Sequence, residues 1–505
     1  MKFMARAKTR KNVNAQVLRP TPRIKNVGAR VAFTFALIAL ELALIYVLYA
    51  DPLNIGNLAI RWGLALASLI VVGTLIRDAN GLIGGWGTYL ASTKKGTAMI
   101  DRISQRYKWF WNGMSMWGIV LGLGILSYPF LKGKIDKRLF VFGLVSIVFM
   151  EYFVLGAALS GFQFITLPQL QLSQAGGGGP TGGLSLVGIA LYGVTIVTGF
   201  TGLFIILLLY NAGTIVMKTL LYTSSVVSGT PNNSILTGVV PGIAPLIPGI
   251  DIPFFAGIAA LAVLLIVHEF AHGILARIAR VRLKSIGLLV LGIIPIGAFV
   301  EPDEGQVERL DSTRKSRILA AGSASNFVWA VIFFFLLIGL VSYVLPGLAG
   351  VFVYSTAQGL PAYGTLQPGM QILYVNGYKI YNLTSLQQAE ANVVPGSKVT
   401  IVTDSGTYNF TAVSVNNSTR GYVGYSAYVS VPTTGAGTFA EFLYAFFSLS
   451  VLFNLSLAVI NLFPIPMFDG WRLYRANIKN KKITRWFAIF IGVLFLINLF
   501  AWVLV

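Results

Sequence analysis

Residues 259–278 read AALAVLLIVHEFAHGILARI, an apolar run that ends in His268-Glu269-Phe270-Ala271-His272. Its 20 residues match the roughly 20 that a helix needs to cross a bilayer. Side chains four apart lie on one face of a helix, so both imidazoles can point at one cation. Glu269 sits next to that face, within reach of a bound water. This is the zinc-binding H-E-x-x-H arrangement, with the glutamate as general base. An ionisable side chain inside a span costs about 3 kcal/mol on insertion scales and usually marks function. The bland alternative, polar groups satisfied by neighbouring helices, suits a lone histidine better than three ionisable residues at metal spacing.

The rest of the composition sharpens this reading. The chain has 505 residues, 55% hydrophobic and 11% charged. Soluble proteins carry about 25% charged residues, so the chain is read as a polytopic membrane protein. These two histidines are the only ones, and cysteine is absent. Disulfides, thiolate ligands and a cysteine nucleophile are therefore excluded. The net charge of +21 reflects loops held in the cytoplasm rather than nucleic-acid binding.

Apolar segments recur at 31–50, 58–76, 109–130, 139–165, 185–210, 253–278, 318–346, 440–464 and 484–505, about nine spans, and 211–240 leaves room for another. The Gly-rich stretch 171–184 reads as a flexible loop, and the proline-rich 239–252 as a break. Residues 1–30 form a basic cytoplasmic arm, and 31–240 an accessory transmembrane region. Residues 250–347 form the first part of a catalytic membrane core, and 440–505 the second part with the last span. Between them, 350–430 contain short β-branched and aromatic runs separated by Gly, Pro, Asn and Ser, which reads as a small β-rich domain. Its four sequons (Asn382, Asn409, Asn416, Asn417) and its few cations (Lys379, Lys398, Arg420) favour an outside location. The basic loops 277–284, 309–317 and 472–485 are placed in the cytoplasm; Lys132, Lys134, Lys137 and Arg138 fit this topology poorly.

Two histidines leave zinc one ligand short, since a catalytic site has three protein ligands and a water. With neither cysteine nor a third histidine, the third is Asp or Glu. The candidates are Glu301, with Asp303 and Glu304 beside it, and Asp469 in Asn461-Leu462-Phe463-Pro464-Ile465-Pro466-Met467-Phe468-Asp469-Gly470. Pro464 and Pro466 break the end of a span, and Gly470 relaxes the backbone after the acid.

HEFAH in an apolar helix, NLFPIPMFDG about 200 residues later, and the β-rich domain between them resemble the site-2 protease family of intramembrane zinc proteases. The family patterns HExxH and NxxPxPxxDG are matched without substitution. GAFVEPDEG (297–305) and AAGSASNF (320–327) also resemble family sequence, and LQPGMQILYVNG (366–377) resembles a PDZ domain. The resemblance covers about 250–485. It implies one zinc per chain held by His268, His272 and Asp469, with Glu269 as base. It also implies an endopeptidase that cuts transmembrane or membrane-anchored proteins.

A transmembrane substrate is helical and must unwind before attack. Residues 285–300 (SIGLLVLGIIPIGAFV), broken by Gly292, Pro295 and Gly297, read as a re-entrant hairpin whose free edge pairs with the unwound chain. Gly292, Gly297, Asn326 and Asn461 are the candidate substrate contacts. The expected setting is a multi-pass protein of the cell membrane, N-terminus cytoplasmic and PDZ-like domain outside, with membrane lipid and protein substrates as partners. The competing readings are a transporter using Glu41 and Glu151, which lie inside spans, and a non-proteolytic protein that binds membrane helices.

Overall fold

The computed structural model describes residues 21–50, 55–93, 95–131, 136–155, 186–236, six positions between 239 and 249, 251–344, 349–415, 418–430, 435–466 and 468–501. In chain order come α1 (Val27–Ala50), α2 (Leu58–Asn80), β1 (Gly84–Gly85), β2 (Thr88–Thr93), α3 (Lys95–Arg106), α4 (Lys108–Leu123), α5 (Lys137–Phe149), α6 (Leu186–Val227) and α7 (Phe254–Ile278). Next are β3 (Leu283–Leu291), β4 (Ile294–Pro302), α8 (Ser312–Leu319) and α9 (Ala321–Gly339).

Among the described residues eight helices are long and apolar enough to cross a membrane, which fits an integral membrane protein. This differs from the nine runs read in the sequence. The run 139–165 is helical over α5, continues as a π-helical turn at Met150–Leu155, and then passes outside the described residues, as does the Gly-rich 171–184. The room for a further span at 211–240 is taken by α6, which continues to Val227 with a kink at Gly199.

The centre of the bundle is the face that α4, α6 and α9 share with α11 (Ala436–Ile460), where Ile119, Leu121, Phe200, Phe327 and Ala458 have no exposure. By contrast α1 shows Phe35, Leu40 and Tyr46 on its surface, as expected of a lipid-facing helix.

Two features join the first 110 residues to the motif-bearing helix. β2 pairs antiparallel with β3 along its whole length, from Thr88–Leu291 to Thr93–Ile286, giving a sheet of order β1-β2-β3-β4. Asp101 on α3 also pairs with Arg277 in the last turn of α7. Residues 84–93 and 283–302 therefore share a sheet. One edge of the β3–β4 hairpin is covered by β2, and β4 ends the sheet.

The β-rich segment folds on its own core of Val351, Ile372, Val375 and Ile401. It holds β5 (Gly350–Thr356), β6 (Gln371–Val375), β7 (Tyr378–Lys379), α10 (Leu383–Glu390), β8 (Lys398–Thr403), β9 (Gly406–Thr411), β10 (Val413–Ser414), β11 (Gly421–Tyr422) and β12 (Tyr425–Ser430). The main sheet runs β12-β5-β6-β8-β9, with β7 beside β6. Asn382, read as a sequon, caps α10 in a reciprocal box with Ser385. The chain closes with α11, α12 (Asp469–Asn477) and α13 (Lys481–Phe500).

Candidate metal centre

The HEFAH segment lies within α7. The helix ends at Arg280, which takes a left-handed φ of 63°, and the Val281 N–H donates back to the Ala276 carbonyl. His268 and His272 stand one turn apart, their Nε2 atoms 3.1 Å from each other. Asp469 is the first residue of α12 and reaches both, with Oδ2 3.0 Å from His272 Nε2 and 3.4 Å from His268 Nε2.

The proline break delivers it there. After α11 the chain turns through 461–468, and the Gly470 N–H donates to the Asn461 carbonyl at 2.7 Å. A Cβ on Gly470 would overlap the Leu462 and Phe463 carbonyl groups, so only glycine lets the turn close this tightly. The carboxylate lies in the first turn of α12, where the helix dipole favours an anion. Burial raises the Asp469 carboxyl, but the facing imidazoles outweigh it and hold its pKa well below the usual carboxylate range.

Among the described residues these three form the group of ligand atoms, all within 4.8 Å of one another, that suits a metal ion. Zinc bonds of 2.0–2.1 Å in tetrahedral geometry set neighbouring ligand atoms about 3.3 Å apart. The observed separations of 3.0, 3.1 and 3.4 Å fit that edge.

The surroundings fit as well. A ligating histidine donates its other ring N–H to a fixed acceptor. His272 Nδ1 lies 2.7 Å from the Ile318 carbonyl at the end of α8, which turns Nε2 towards the cation position. His268 Nδ1 lies 3.0 Å from the Asn326 amide. Asn326 Oδ1 is buried without a partner, and a half-turn of the amide gives Nδ1–H the acceptor that ligation through Nε2 requires.

The turn of α9 that carries Asn326 packs directly on the histidines. Ser325 Oγ donates to the Val267 carbonyl, and a Cβ on Gly322 would overlap the His268 ring. Gly322→Ala is therefore expected to displace His268 and to weaken zinc binding by about 10–100-fold. Gly339→Ala on the same helix, where an added Cβ meets nothing, should leave it unchanged. Chelator competition on the two purified variants measures the difference.

Glu269 is not part of the metal group. Its Oε2 accepts from the Val300 N–H of β4 at 3.1 Å. That N–H points away from β3, towards α7, so the Glu269 carboxylate lies against the free edge of the hairpin.

The other acids weighed as ligands are engaged elsewhere. Glu301 accepts from Ser285 Oγ at 2.9 Å and faces Lys284, on the exposed strand surface. Asp303 caps the short helix Glu304–Glu308, and Glu304 faces Arg472.

Of the expected substrate contacts, Asn461 is at the centre, its Nδ2 3.1 Å from His268 Nε2, and Gly297 lies on β4, paired with Leu289. Asn326 and Gly292 are placed differently from that expectation. Asn326 has no exposure and holds His268. Gly292 forms the hairpin turn against Leu69 of α2, accepting from the Tyr89 hydroxyl. Glu41, read as a transport residue, is buried between α1 and α2 and accepts from Ser68 Oγ at 2.9 Å.

The sequence reading missed the Val300 N–H, the Ile318 carbonyl, Gly322 and strand β2. Only β2 left a signal, the turn Gly84-Gly85-Trp86-Gly87 ahead of TYLAST.

Residues 256–499 match the profile described as Peptidase family M50. The chain is 31% identical over 238 residues to an uncharacterized protein of Methanocaldococcus jannaschii, covering 46% of this chain and 60% of that one. It is 29% identical over 182 residues to a Vibrio cholerae protein named "Putative zinc metalloprotease", covering 30% of this chain and 39% of that one. The aligned part thus spans less than two thirds of either relative. His268, Glu269, His272 and Asp469 all lie within the stretch that matches this profile.

Proposed function

We propose that the protein is an intramembrane zinc endopeptidase that cuts transmembrane or membrane-anchored proteins. The observation that carries this reading is the meeting of His268, His272 and Asp469, from motifs about 200 residues apart, beside a glutamate held against a free strand edge.

His268, His272 and Asp469 hold one zinc, which when bound supplies Lewis acidity for the scissile carbonyl and lowers the pKa of water towards about 7. Glu269 takes the proton from water and returns it to the leaving amine. The Val300 N–H fixes one carboxylate oxygen for that task. An antiparallel ladder alternates, so Ala298 offers its N–H and C=O on the same edge as Val300. A locally unwound substrate adds to β4 as a strand, which sets its peptide bonds beside Glu269. Asn461 is the amide best placed to donate to a freed substrate carbonyl.

The test uses purified protein reconstituted with a single-span substrate. Stoichiometric zinc and cleavage abolished by chelation, then restored by zinc, are expected. Stable zinc binding with no cleavage of any membrane-anchored substrate would leave the non-proteolytic reading.

The proposed topology puts the N-terminus and the centre at the cytoplasmic side of a cell membrane, and the β-rich domain, read as PDZ-like, outside. The absence of native cysteine makes this simple to check. Ser405→Cys should react with an impermeant thiol reagent in intact cells, and Asn480→Cys should react only after permeabilisation. Labelling of Asn480→Cys in intact cells would invert the topology.

A further inference from the structure

Beside α12, the helix that begins at Asp469, lies a cavity of about 530 Å³ lined by Pro466, Trp471, Arg475, Lys481, Arg485, Ala488 and Ile489. Three of its seven lining residues are cations and none is an acid. A second cavity of about 470 Å³ adjoins it through Trp471, Arg475 and Lys481. The two cations that line only the second cavity are already engaged. Lys315 pairs with Glu308 at 2.9 Å, and Arg472 faces Glu304. Arg475, Lys481 and Arg485 are in no ion pair among the described residues. Arg475 lies over the Trp471 ring at 5.3 Å, and Lys481 donates to the Arg475 carbonyl. Glu308 in the adjoining cavity is paired with Lys315 and acts on Arg475 only from a distance, so the three like charges here have no paired anion.

The cavity also has a direction. Lys481 and Arg485 are four apart on α13, and the same face continues through Ile489 and Val493, exposed by 45% and 49%. One helix face therefore passes from two cations at the start of a span to an apolar stripe along it. Trp471 stands at the junction, where indole rings favour the headgroup level. Charge at the top and apolar surface below suit an amphiphile, not a soluble anion. The chain's own basic arm, residues 1–30, has the wrong sign to fill the cavity.

We propose that this cavity binds the phosphate-bearing headgroup of an anionic phospholipid, with an acyl chain along the Ile489–Val493 face. Arg475, Lys481 and Arg485 neutralise the phosphate, and basic pockets at the ends of spanning helices bind such headgroups. Three of the lining residues, Pro466, Trp471 and Arg475, lie on α12 or the turn before it. The bound lipid therefore braces the segment that presents Asp469.

The experiment uses Glu269→Gln protein in detergent, so it does not depend on peptidase activity. Phosphatidylglycerol is added, and retained lipid is counted by native mass spectrometry. Retention is expected, with phosphatidylcholine held at least about tenfold more weakly. Joint Arg475→Gln, Lys481→Gln and Arg485→Gln replacement should cut retention at least about tenfold. Removing the same charge at Arg102, Arg106 and Lys108 should not. Glycerol 3-phosphate, which has the charge without the chain, should fail to displace the lipid. Equal retention by the two triple variants, or equal binding of phosphatidylcholine, would overturn the proposal. Displacement by glycerol 3-phosphate would do so too, because the site would then take a soluble phosphate. Should the triple variant fail to fold, the two lipids compared on the parent protein still decide the question.

Discussion

Glu269→Gln should leave zinc in place and reduce cleavage by about 10²–10⁴-fold, the usual loss when a general base is removed. The two halves of this expectation have separate structural grounds. Retention of metal follows from the ligand group, which comprises His268, His272 and Asp469 and excludes Glu269. Loss of rate follows from chemistry, since an amide cannot accept the proton of water. Glutamine keeps the shape of the side chain, and its amide oxygen can still accept from the Val300 N–H that Glu269 meets at 3.1 Å. Displacement of β4 is therefore not expected to confuse the result. Initial rates on a reconstituted single-span substrate, with metal content measured on the same samples, check both halves. Zinc lost along with activity would make Glu269 a ligand. A rate within tenfold of the parent would remove it from the proton path.

What the sequence disclosed followed the range of each signal. The two histidines and Glu269 were legible because their relation is local, set by helical periodicity within five residues. The hairpin at 283–302 was legible for the same reason, since Gly292 and Pro295 interrupt a run too short to span a bilayer. Strand β2 was not read, because its partner β3 lies about 200 residues on and a six-residue strand is faint within so apolar a chain. The supports of the histidines were invisible for a different reason. A backbone carbonyl such as that of Ile318 carries no residue signature, and Gly322 reveals its purpose only once His268 is seen beside it. Asn326 is legible as a residue of the site but not in its role. It was expected at the substrate, and its burial against His268 makes it a positioning residue. Of the apolar runs, 139–165 leaves the described residues after Leu155, and α6 extends the run 185–210 to Val227.

Asp469→Asn should strip the centre of metal, whereas Glu301→Gln should leave zinc content and most activity intact. Both acids were open to the sequence, and composition allowed either as third ligand. The geometry separates them. Asp469 Oδ2 lies 3.0 and 3.4 Å from the two imidazole Nε2 atoms, while Glu301 is turned to Ser285 and Lys284. Asparagine preserves the size of the side chain but removes the negative charge that offsets a divalent cation in a buried site. Disturbing a residue that merely supports a ligand costs about 10–100-fold in metal affinity; loss of the ligand charge itself should exceed that. The backbone around position 469 should tolerate the change. The turn is closed by the Gly470 N–H to the Asn461 carbonyl and by the Phe468 N–H to the Ile465 carbonyl, neither of which involves the carboxylate. Metal stoichiometry of both purified variants after the same mild chelation gives the answer. Zinc lost from Glu301→Gln but kept by Asp469→Asn would overturn the assignment. It would also break the link on which the proposed mechanism rests, the carboxylate that the turn after α11 brings to both histidines of α7.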